Sequence, residues 1–232
     1  MSNMFKRFQV TINRGNILSA KYAVDAITVS CNQKLLGPYN KSHWRFNKKN
    51  VEQAVHMECG GYIDKLSGVN RKLMQAARKQ HPSGISVGSA LVTSSFNFEQ
   101  DKEKKKFAFV IHACAPWKTQ ENTNDEIKSL LTETYKNALR LGIKTRNIDS
   151  MALPALGCGV NLIDPSTSAL AAFHALAELD DVEICSKHLV QQHTSNNDFD
   201  KKTLRVDFWM LDHLAHEAFA DVFGNSGTTN DG

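Results

Sequence analysis

The sequence predicts an α/β fold built as one domain. Short β-rich apolar runs alternate with longer segments of helical period, which is typical of βα units rather than of a sandwich of two sheets. The chain has 232 residues, of which 41% are hydrophobic, and it carries no internal repeat. A chain of this length can bury one sizeable core. We therefore expect a single domain over residues 1–223.

The first half of the chain supplies four predicted strands and one helix. The predicted strands are 8–12, 24–29, 89–93 and 107–114. The fourth run is apolar almost throughout, as in a central strand that is covered on both faces. Apolar residues at helical spacing from Ile63 predict a helix that ends near His81.

The second half adds three predicted helices and two strands. A well-patterned helix is predicted over 125–141, with Gly142 as its C-terminal stop. A strand at 148–153 precedes an Ala-rich helix at 166–179, and Asp164 before Pro165 marks the start of that helix. The closing predictions are an ambiguous segment at 182–190, a loop at 193–202, a strand at 204–211, a helix to about Phe223 and a disordered tail at 224–232.

Composition excludes several classes of protein. No run approaches the roughly 18 apolar residues that a membrane span requires, and no apolar core of a signal peptide follows the start. We expect an intracellular protein, cytoplasmic or nuclear. The 5 cysteines are odd in number and never form a Cys-x-x-Cys pair, so neither a disulfide framework nor a metal site is predicted. The net charge of +4 is spread among acidic residues and does not indicate RNA binding.

Two segments stand apart from the α/β pattern. Residues at about 38–59 are rich in Asn, Lys and His, with Trp44 and Phe46 as the large anchors, and they predict an insertion. The basic run at 102–106 predicts a solvated hairpin tip.

Two glycine segments predict a ligand cleft. Gly157 and Gly159 follow a predicted strand and precede a helix start, where exposed backbone amides and the free amides of the helix favour an anion such as a phosphate. Gly60 and Gly61 supply a second close approach before another helix. In open α/β sheets, ligands bind at the carboxyl ends of strands, so both segments are expected to line one cleft. A tight turn at the first segment and a hinge at the second are the alternatives.

Six segments, taken in order, resemble the macrodomain family over about residues 8–223. They are 24–37 (VDAITVSCNQKLLG), 60–64 (GGYID), 88–93 (GSALVT), 110–116 (VIHACAP), 154–160 (PALGCGV) and 211–219 (LDHLAHEAF). The resemblance implies a three-layer α/β/α fold with a central mixed sheet and a cleft for ADP-ribose, which would be a ligand rather than a cofactor.

The resemblance also assigns parts of ADP-ribose to parts of this chain. Asn32 is implied beside the distal ribose, the amides of 157–160 around the diphosphate, and the residues near Asn16 and Leu211 at the adenine. The implied ligand-binding residues are Asn16, Ile17, Asn32, Gly60, Gly61, Gly157, Cys158, Gly159, Val160, Asn161 and Leu211.

Four positions depart from the family's pattern. Asn16 replaces an acidic adenine contact, and Leu211 replaces an aromatic side chain whose stacking is worth about 0.5–1.5 kcal/mol in comparable pairs. Asn161 and Leu162 stand where the family has an aromatic residue and a glycine. These departures predict a different affinity or base preference.

Catalysis is implied only through a carboxylate after the glycine-rich loop. Asp64 is the nearest match to the residue that positions or activates water in hydrolytic members, with Asn32 as its companion. It lies one position further from the glycine pair than the usual pattern has it, and a helix cap is the alternative role. The terminal ADP-ribose protein glycohydrolases carry a catalytic aspartate where this chain has Asn161, which cannot take up a proton. Cys31, Cys158 and His112 are predicted to be packing residues.

The leading hypothesis is a macrodomain that binds ADP-ribose or an ADP-ribosyl group on a protein, with hydrolysis of mono-ADP-ribose from proteins as its enzymatic version. The rival hypothesis is a non-catalytic binding module for a protein or RNA partner. It would act through the basic insertion around His43, Arg45, Lys48 and Lys49.

Overall fold

A computed structural model of the protein describes residues 5–15, 17, 24–35, 69–95, 107–159, 161–189 and 202–224, with the backbone alone over 69–74 and 182–189. The strands in these ranges are β1 (Phe8–Arg14), β2 (Ala26–Ser30), β3 (Ala90–Ser94), β4 (Phe109–Ala113), β5 (Ser150–Leu153) and β6 (Leu204–Met210). The helices are α1 (Val69–Gln80), α2 (Asn124–Lys144), α3 (Pro165–Leu189) and α4 (His213–Val222). None of these helices has the length and apolar character that a membrane span needs.

The six strands form one mixed sheet in the order β1-β6-β5-β2-β4-β3. All neighbouring pairs are parallel except β3 and β4, which are antiparallel. The carboxyl ends of five strands therefore meet at one edge of the sheet. This arrangement confirms the predicted α/β class and the mixed sheet.

Hydrophobic side chains cover both faces of the sheet. Ile111 of β4 belongs to the main core with Leu131 and Leu139 of α2, whereas its neighbour Val110 packs on the opposite face with Ile27. Burying one such side chain contributes about 1.5–3 kcal/mol. The alternation confirms that β4 is a strand covered on both faces and gives the fold its α/β/α layers.

The register of β2 beside β5 is fixed by one carboxylate. Asp25 precedes β2, and its Oδ2 accepts hydrogen bonds from the backbone amide of Ser150 at 2.9 Å and from its hydroxyl at 2.8 Å. The amide of Asp149 donates to the same oxygen at 3.0 Å. Three donors on one carboxylate hold the start of β2 against β5 and so set where both strands end.

The helix α2 does not stop where the sequence predicted. It begins after Thr123, whose side chain and that of Glu126 form a reciprocal capping box, and it continues through Gly142 to Lys144. The predicted stop at Gly142 is wrong because this glycine serves close packing. A Cβ there would lie 2.8 Å from Sδ of the buried Met151.

The helix α3 is longer than predicted, and its start is capped as predicted. Asp164 Oδ1 accepts from the amides of Ser166 at 2.9 Å and Thr167 at 3.3 Å. The helix runs to Leu189, so the ambiguous segment at 182–190 is helical over its described part. The predicted insertion at about 38–59, the basic run at 102–106, the loop over 193–201 and the tail after Gly224 lie outside the described residues.

Candidate functional site

The candidate site lies at the sheet edge where the five parallel strands end. Ile17 follows β1, Asn32 follows β2, Gly157 follows β5 and Leu211 follows β6, so the topology brings these predicted residues to the same edge. Of the residues predicted for this site, Asn16, Gly60, Gly61, Asp64 and Val160 lie outside the described residues.

The loop from Gly157 to Ile163 is a tight turn closed by its own backbone. The amide of Ile163 donates to the carbonyl of Gly157 at 3.0 Å, and the amide of Leu162 donates to that of Gly159 at 3.0 Å. Gly157 has φ +83°, and a Cβ there would lie 2.5 Å from Ile163 Cδ1. The fold itself therefore requires glycine at position 157, as the tight-turn alternative supposed.

Gly159 differs from Gly157 in both respects. It is not among the positive-φ glycines of the described chain. A Cβ built on it meets no described atom within 4 Å. The packing of the described residues therefore gives no reason for glycine at position 159. A ligand that approaches the backbone there would give one.

Backbone amides of this loop remain available as donors. Within the described ranges, the amides of Gly157, Gly159 and Asn161 donate no hydrogen bond. By contrast, the first amides of α3 are used by the carboxylate of Asp164. The free helix amides expected from the sequence are thus absent, and the donors for an anion lie in the loop before the helix.

The buried hydroxyl groups of Tyr135 and Ser168 hold the backbone of the residue that precedes Gly157. The amide of Leu156 donates to the phenolic oxygen of Tyr135 at 2.7 Å, and that oxygen lies 2.8 Å from Ser168 Oγ. The Ser168 hydroxyl donates to the carbonyl of Leu156 at 2.8 Å. Tyr135 is fully buried, and burial raises the pKa of its phenol, which stays neutral. Residue 156 is therefore held from both α2 and α3, directly before Gly157.

Asn161 ties the loop after β5 to the segment after β4. Its side chain is buried, and Nδ2 donates to the carbonyls of Ala115 at 3.2 Å and Pro116 at 2.8 Å. Its own carbonyl accepts from the amide of Lys118 at 3.0 Å. The side chain that takes the place of the family's aromatic residue is thus directed into the protein. Sequence reasoning missed this tether because its partners are backbone atoms distant in the chain.

Leu162 follows with φ +56° and 71% of its surface exposed. A branched side chain in this backbone region is unfavourable, and such strain concentrates at functional loops. The residue marks the outer rim of the candidate site.

Asn32 lies on a turn that another loop holds in place. The amide of Leu35 donates to the Asn32 carbonyl at 3.0 Å, and the amide of Ile85 donates to the Gln33 carbonyl at 2.8 Å. A Cβ on Gly84 would lie 2.1 Å from that same Gln33 carbonyl. The exposed Asn32 is therefore positioned through a glycine at 84, which sequence reasoning did not connect with the site.

The strands β1 and β6 are joined at their carboxyl ends. The amide of Gly15 donates to the Met210 carbonyl at 2.9 Å, which extends the pairing of β1 with β6. Ile17 beyond it is buried against Val24 and the half-exposed Trp209, whereas Leu211 is half-buried.

His112 and the cysteines differ in their surroundings. His112 is fully buried, its Nε2 lies 2.9 Å from Thr93 Oγ1, and burial lowers its pKa to about 4, so it is a neutral packing residue as predicted.

Cys31 and Cys158 are half-buried rather than buried. The thiol of Cys31 is hydrogen-bonded to the buried Cys114, a pairing that the sequence did not indicate. Among the described residues, no group of three or more His, Cys, Asp or Glu side chains could hold a metal ion.

Solved structures with the same fold are macrodomains. The Oceanobacillus iheyensis macrodomain with MES bound superposes with a TM-score of 0.64 at 20% identity, covering 96% of this chain and 94% of that chain. The same macrodomain with ADP gives 0.60 at 19% identity, covering 93% and 89%. The Trypanosoma brucei macrodomain in complex with ADP-ribose gives 0.56 at 14% identity, covering 94% and 69%.

Sequence comparison agrees with the likeness in fold. No curated protein matches the chain. The sequence model of the Macro domain family matches residues 30–172, which include β3, β4, β5, the loop at 157–161 and the start of α3. Together with the mixed sheet and the glycine loop at its carboxyl edge, this match shows that the chain belongs to the Macro domain family.

Proposed function

We propose that this protein binds ADP-ribose, either free or attached to a protein, and that the loop at 157–161 receives the diphosphate. The observation that carries the proposal is the contrast between its two glycines. Gly157 is required by the turn, whereas no described atom within 4 Å of a Cβ requires glycine at 159. A phosphate that approaches the backbone at this point explains the second glycine.

The donors of the loop suit a dianionic ligand. The amides of Gly157, Gly159 and Asn161 have no acceptor among the described residues, and hydrogen bonds from amides to phosphate oxygens are stronger than those between neutral groups. The Tyr135 network and the Asn161 tether hold the loop from two sides, so little ordering is needed when the ligand binds.

Strand topology supports the rest of the ligand's placement. Asn32 is exposed at the end of β2, and β2 pairs with β5, which leads into the glycine loop. Ile17 and Leu211 lie beyond β1 and β6, on the other side of β5. A ligand whose diphosphate lies on the loop after β5 can therefore extend its distal ribose toward Asn32 and its adenine toward Leu211. Structural neighbours from two organisms hold ADP or ADP-ribose.

Isothermal titration calorimetry with ADP-ribose tests this proposal. We expect one ligand per chain in a buffer without metal or cofactor, and weaker binding of ADP, which lacks the distal ribose. Equal affinity for the two nucleotides would remove the role of Asn32. An absence of heat at high micromolar ADP-ribose would contradict the proposal.

We further propose that the protein removes mono-ADP-ribose from proteins in the cytoplasm or nucleus, with Asp64 as general base and Asn32 beside the distal ribose. The motivation is the position of Asp64 after Gly60 and Gly61. Incubation with proteins that carry mono-ADP-ribose on acidic, serine or arginine side chains should release ADP-ribose, and D64A should abolish the release. A conservative control is D64E, which keeps the charge. Undiminished turnover in D64A would exclude Asp64 from the mechanism.

The rival function is binding of a protein or RNA partner through the basic residues around His43, Arg45, Lys48 and Lys49. It is motivated by the altered adenine contacts. Salt-dependent RNA binding that ADP-ribose does not displace would favour it. If ADP-ribose binds and RNA does not, the RNA version of this rival is excluded.

A further inference from the structure

Two cysteines occupy neighbouring positions at the ends of adjacent strands. β2 and β4 are parallel, and Ser30 pairs with Ala113 at the end of their register. The next residue on each strand is a cysteine, Cys31 and Cys114. The amide of Cys31 donates to the Ala113 carbonyl at 2.9 Å, so the ladder continues up to this pair.

The spacing of adjacent strands suits a covalent link between these residues. Neighbouring strands lie about 4.8 Å apart, and disulfides join Cα atoms that are about 4.4–6.8 Å apart. The two side chains also lie on the same face of the sheet, because the residues directly after one register pair of parallel strands stand side by side. The usual spacing of paired strands therefore lies within the range that a disulfide spans.

Among the described residues, one side of the pair is left accessible. Cys114 is 2% exposed, and its amide donates to the carbonyl of Ser89, the residue before β3, at 2.9 Å. Cys31 is half-buried and lies directly before the exposed Asn32. A small oxidant can therefore reach the pair from the Cys31 side.

The hydrogen bond between the two thiols shifts their pKa values in opposite directions. The Cys31 S–H donor lowers the pKa of Cys114, while this bond and burial raise the pKa of Cys31. One sulfur of such a pair carries more thiolate character than an isolated buried cysteine, and the thiolate is the form that reacts with oxidants.

We propose that Cys31 and Cys114 are a site of reversible oxidation, at which hydrogen peroxide converts the two thiols into a disulfide that joins the ends of β2 and β4. In the first step, a thiolate attacks one peroxide oxygen, the O–O bond breaks, and the leaving hydroxide takes up the proton that the thiol had released, so that a sulfenic acid and one water form. In the second step, the other sulfur attacks the sulfenic sulfur, the S–O bond breaks, and the disulfide and a second water form. Two electrons pass from the two sulfurs to the peroxide.

This disulfide would be readily reduced. A bridge between adjacent strands has restricted geometry, and strained or accessible disulfides are the labile, regulatory ones. The proposed disulfide does not depend on the binding of ADP-ribose, because it can be detected in the protein without any ligand.

The test is peroxide treatment of the native full-length protein, followed by alkylation of free thiols, proteolysis without reduction and mass spectrometry. We expect a peptide that links Cys31 to Cys114, the loss of both from the alkylated pool, and recovery of both after dithiothreitol. C158S, which changes another half-buried cysteine of the described residues, should keep the linked peptide. In C31A, Cys114 has no second sulfur to react with and should stop at a sulfenic acid that dimedone traps.

Other products would overturn the proposal. Recovery of both thiols as alkylated residues after peroxide, or a sulfinic acid at Cys31 without a linked peptide, would show that the pair does not close. A bond from either residue to Cys59, Cys158 or Cys185 would do the same. The wild-type result decides the question even if a variant fails to fold.

Discussion

The phenolic oxygen of Tyr135 accepts a 2.7 Å hydrogen bond from the backbone amide of Leu156, the residue that precedes the glycine loop. A side chain in the middle of α2 thus fixes the position of the chain between β5 and the glycine loop. Because the Tyr135 hydroxyl also meets Ser168 of α3, one buried phenol joins two helices to the proposed diphosphate site.

Removal of this hydroxyl should destabilise the fold. In Y135F, the Leu156 amide and the Ser168 hydroxyl each lose a partner inside the core, and a buried polar group without a partner costs about 1–3 kcal/mol. Urea denaturation should show the free energy of unfolding reduced by about this amount. S166A removes an exposed hydroxyl nearby and should change it by less than about 0.5 kcal/mol. Equal stability of Y135F and wild type would mean that the network adds nothing.

Acid should weaken the fold through His112. Burial lowers the pKa of this imidazole from 6.5 to about 4. As the pH falls through 6.5, the unfolded chain takes up a proton that the folded chain does not, so stability is complete above this range and is lost toward pH 4. The loss amounts to about 3 kcal/mol at most.

Denaturation curves of wild type and H112Q between pH 4.5 and about 7.5 check this expectation. In H112Q the free energy of unfolding should fall less steeply with decreasing pH than in wild type. In H81Q, which changes an exposed position, it should fall as steeply as in wild type. Parallel pH profiles of H112Q and wild type would contradict the assignment.

Alanine at position 157 should destabilise the loop. The backbone at Gly157 has φ +83°, and an added Cβ would meet Ile163 Cδ1 at 2.5 Å. A residue with a Cβ in the left-handed region costs about 1–2 kcal/mol, and the clash adds to this cost. Thermal unfolding of G157A should show a lower midpoint than wild type. An unchanged midpoint would mean that the loop adopts another backbone conformation.

Replacing the side-chain amide of Asn161 by a carboxylate should break its contacts with the segment after β4. N161D places carboxylate oxygens against the carbonyls of Ala115 and Pro116, which the native Nδ2 reaches at 3.2 and 2.8 Å. We expect a loss of about 1–3 kcal/mol at neutral pH. A protonated carboxyl can donate again, so the deficit relative to wild type should shrink as the pH falls toward about 4, the pKa of an aspartate in the unfolded chain. A deficit that does not change with pH would argue against the contact.

The strands and the site edge were predictable because they depend on local patterns. Apolar runs give β4 and β5, and Asp164 before Pro165 gives the start of α3. The end of α2 was not predictable, since Gly142 follows the pattern of a helix stop and its packing against Met151 is visible only in three dimensions.

Within the site, the strand order brings the segments after β1, β2, β5 and β6 to one edge of the sheet, but the sequence did not show how these segments are held. The contact of Asn161 with Pro116 joins loops that are 45 residues apart, and that of Tyr135 with Leu156 spans 21 residues. The pairing of Cys31 with Cys114 likewise follows from strand order, which no local pattern contains.

The difference between the two glycines gives the most direct test of the proposed ligand site. In G159V the added side chain enters space that the described residues leave open, so the unfolding midpoint should equal that of wild type. Calorimetric titration with ADP-ribose should nevertheless show binding weakened by about tenfold or more, a loss of at least about 1.4 kcal/mol. Affinity of G159V equal to that of wild type would contradict the claim that the diphosphate lies against this stretch of backbone.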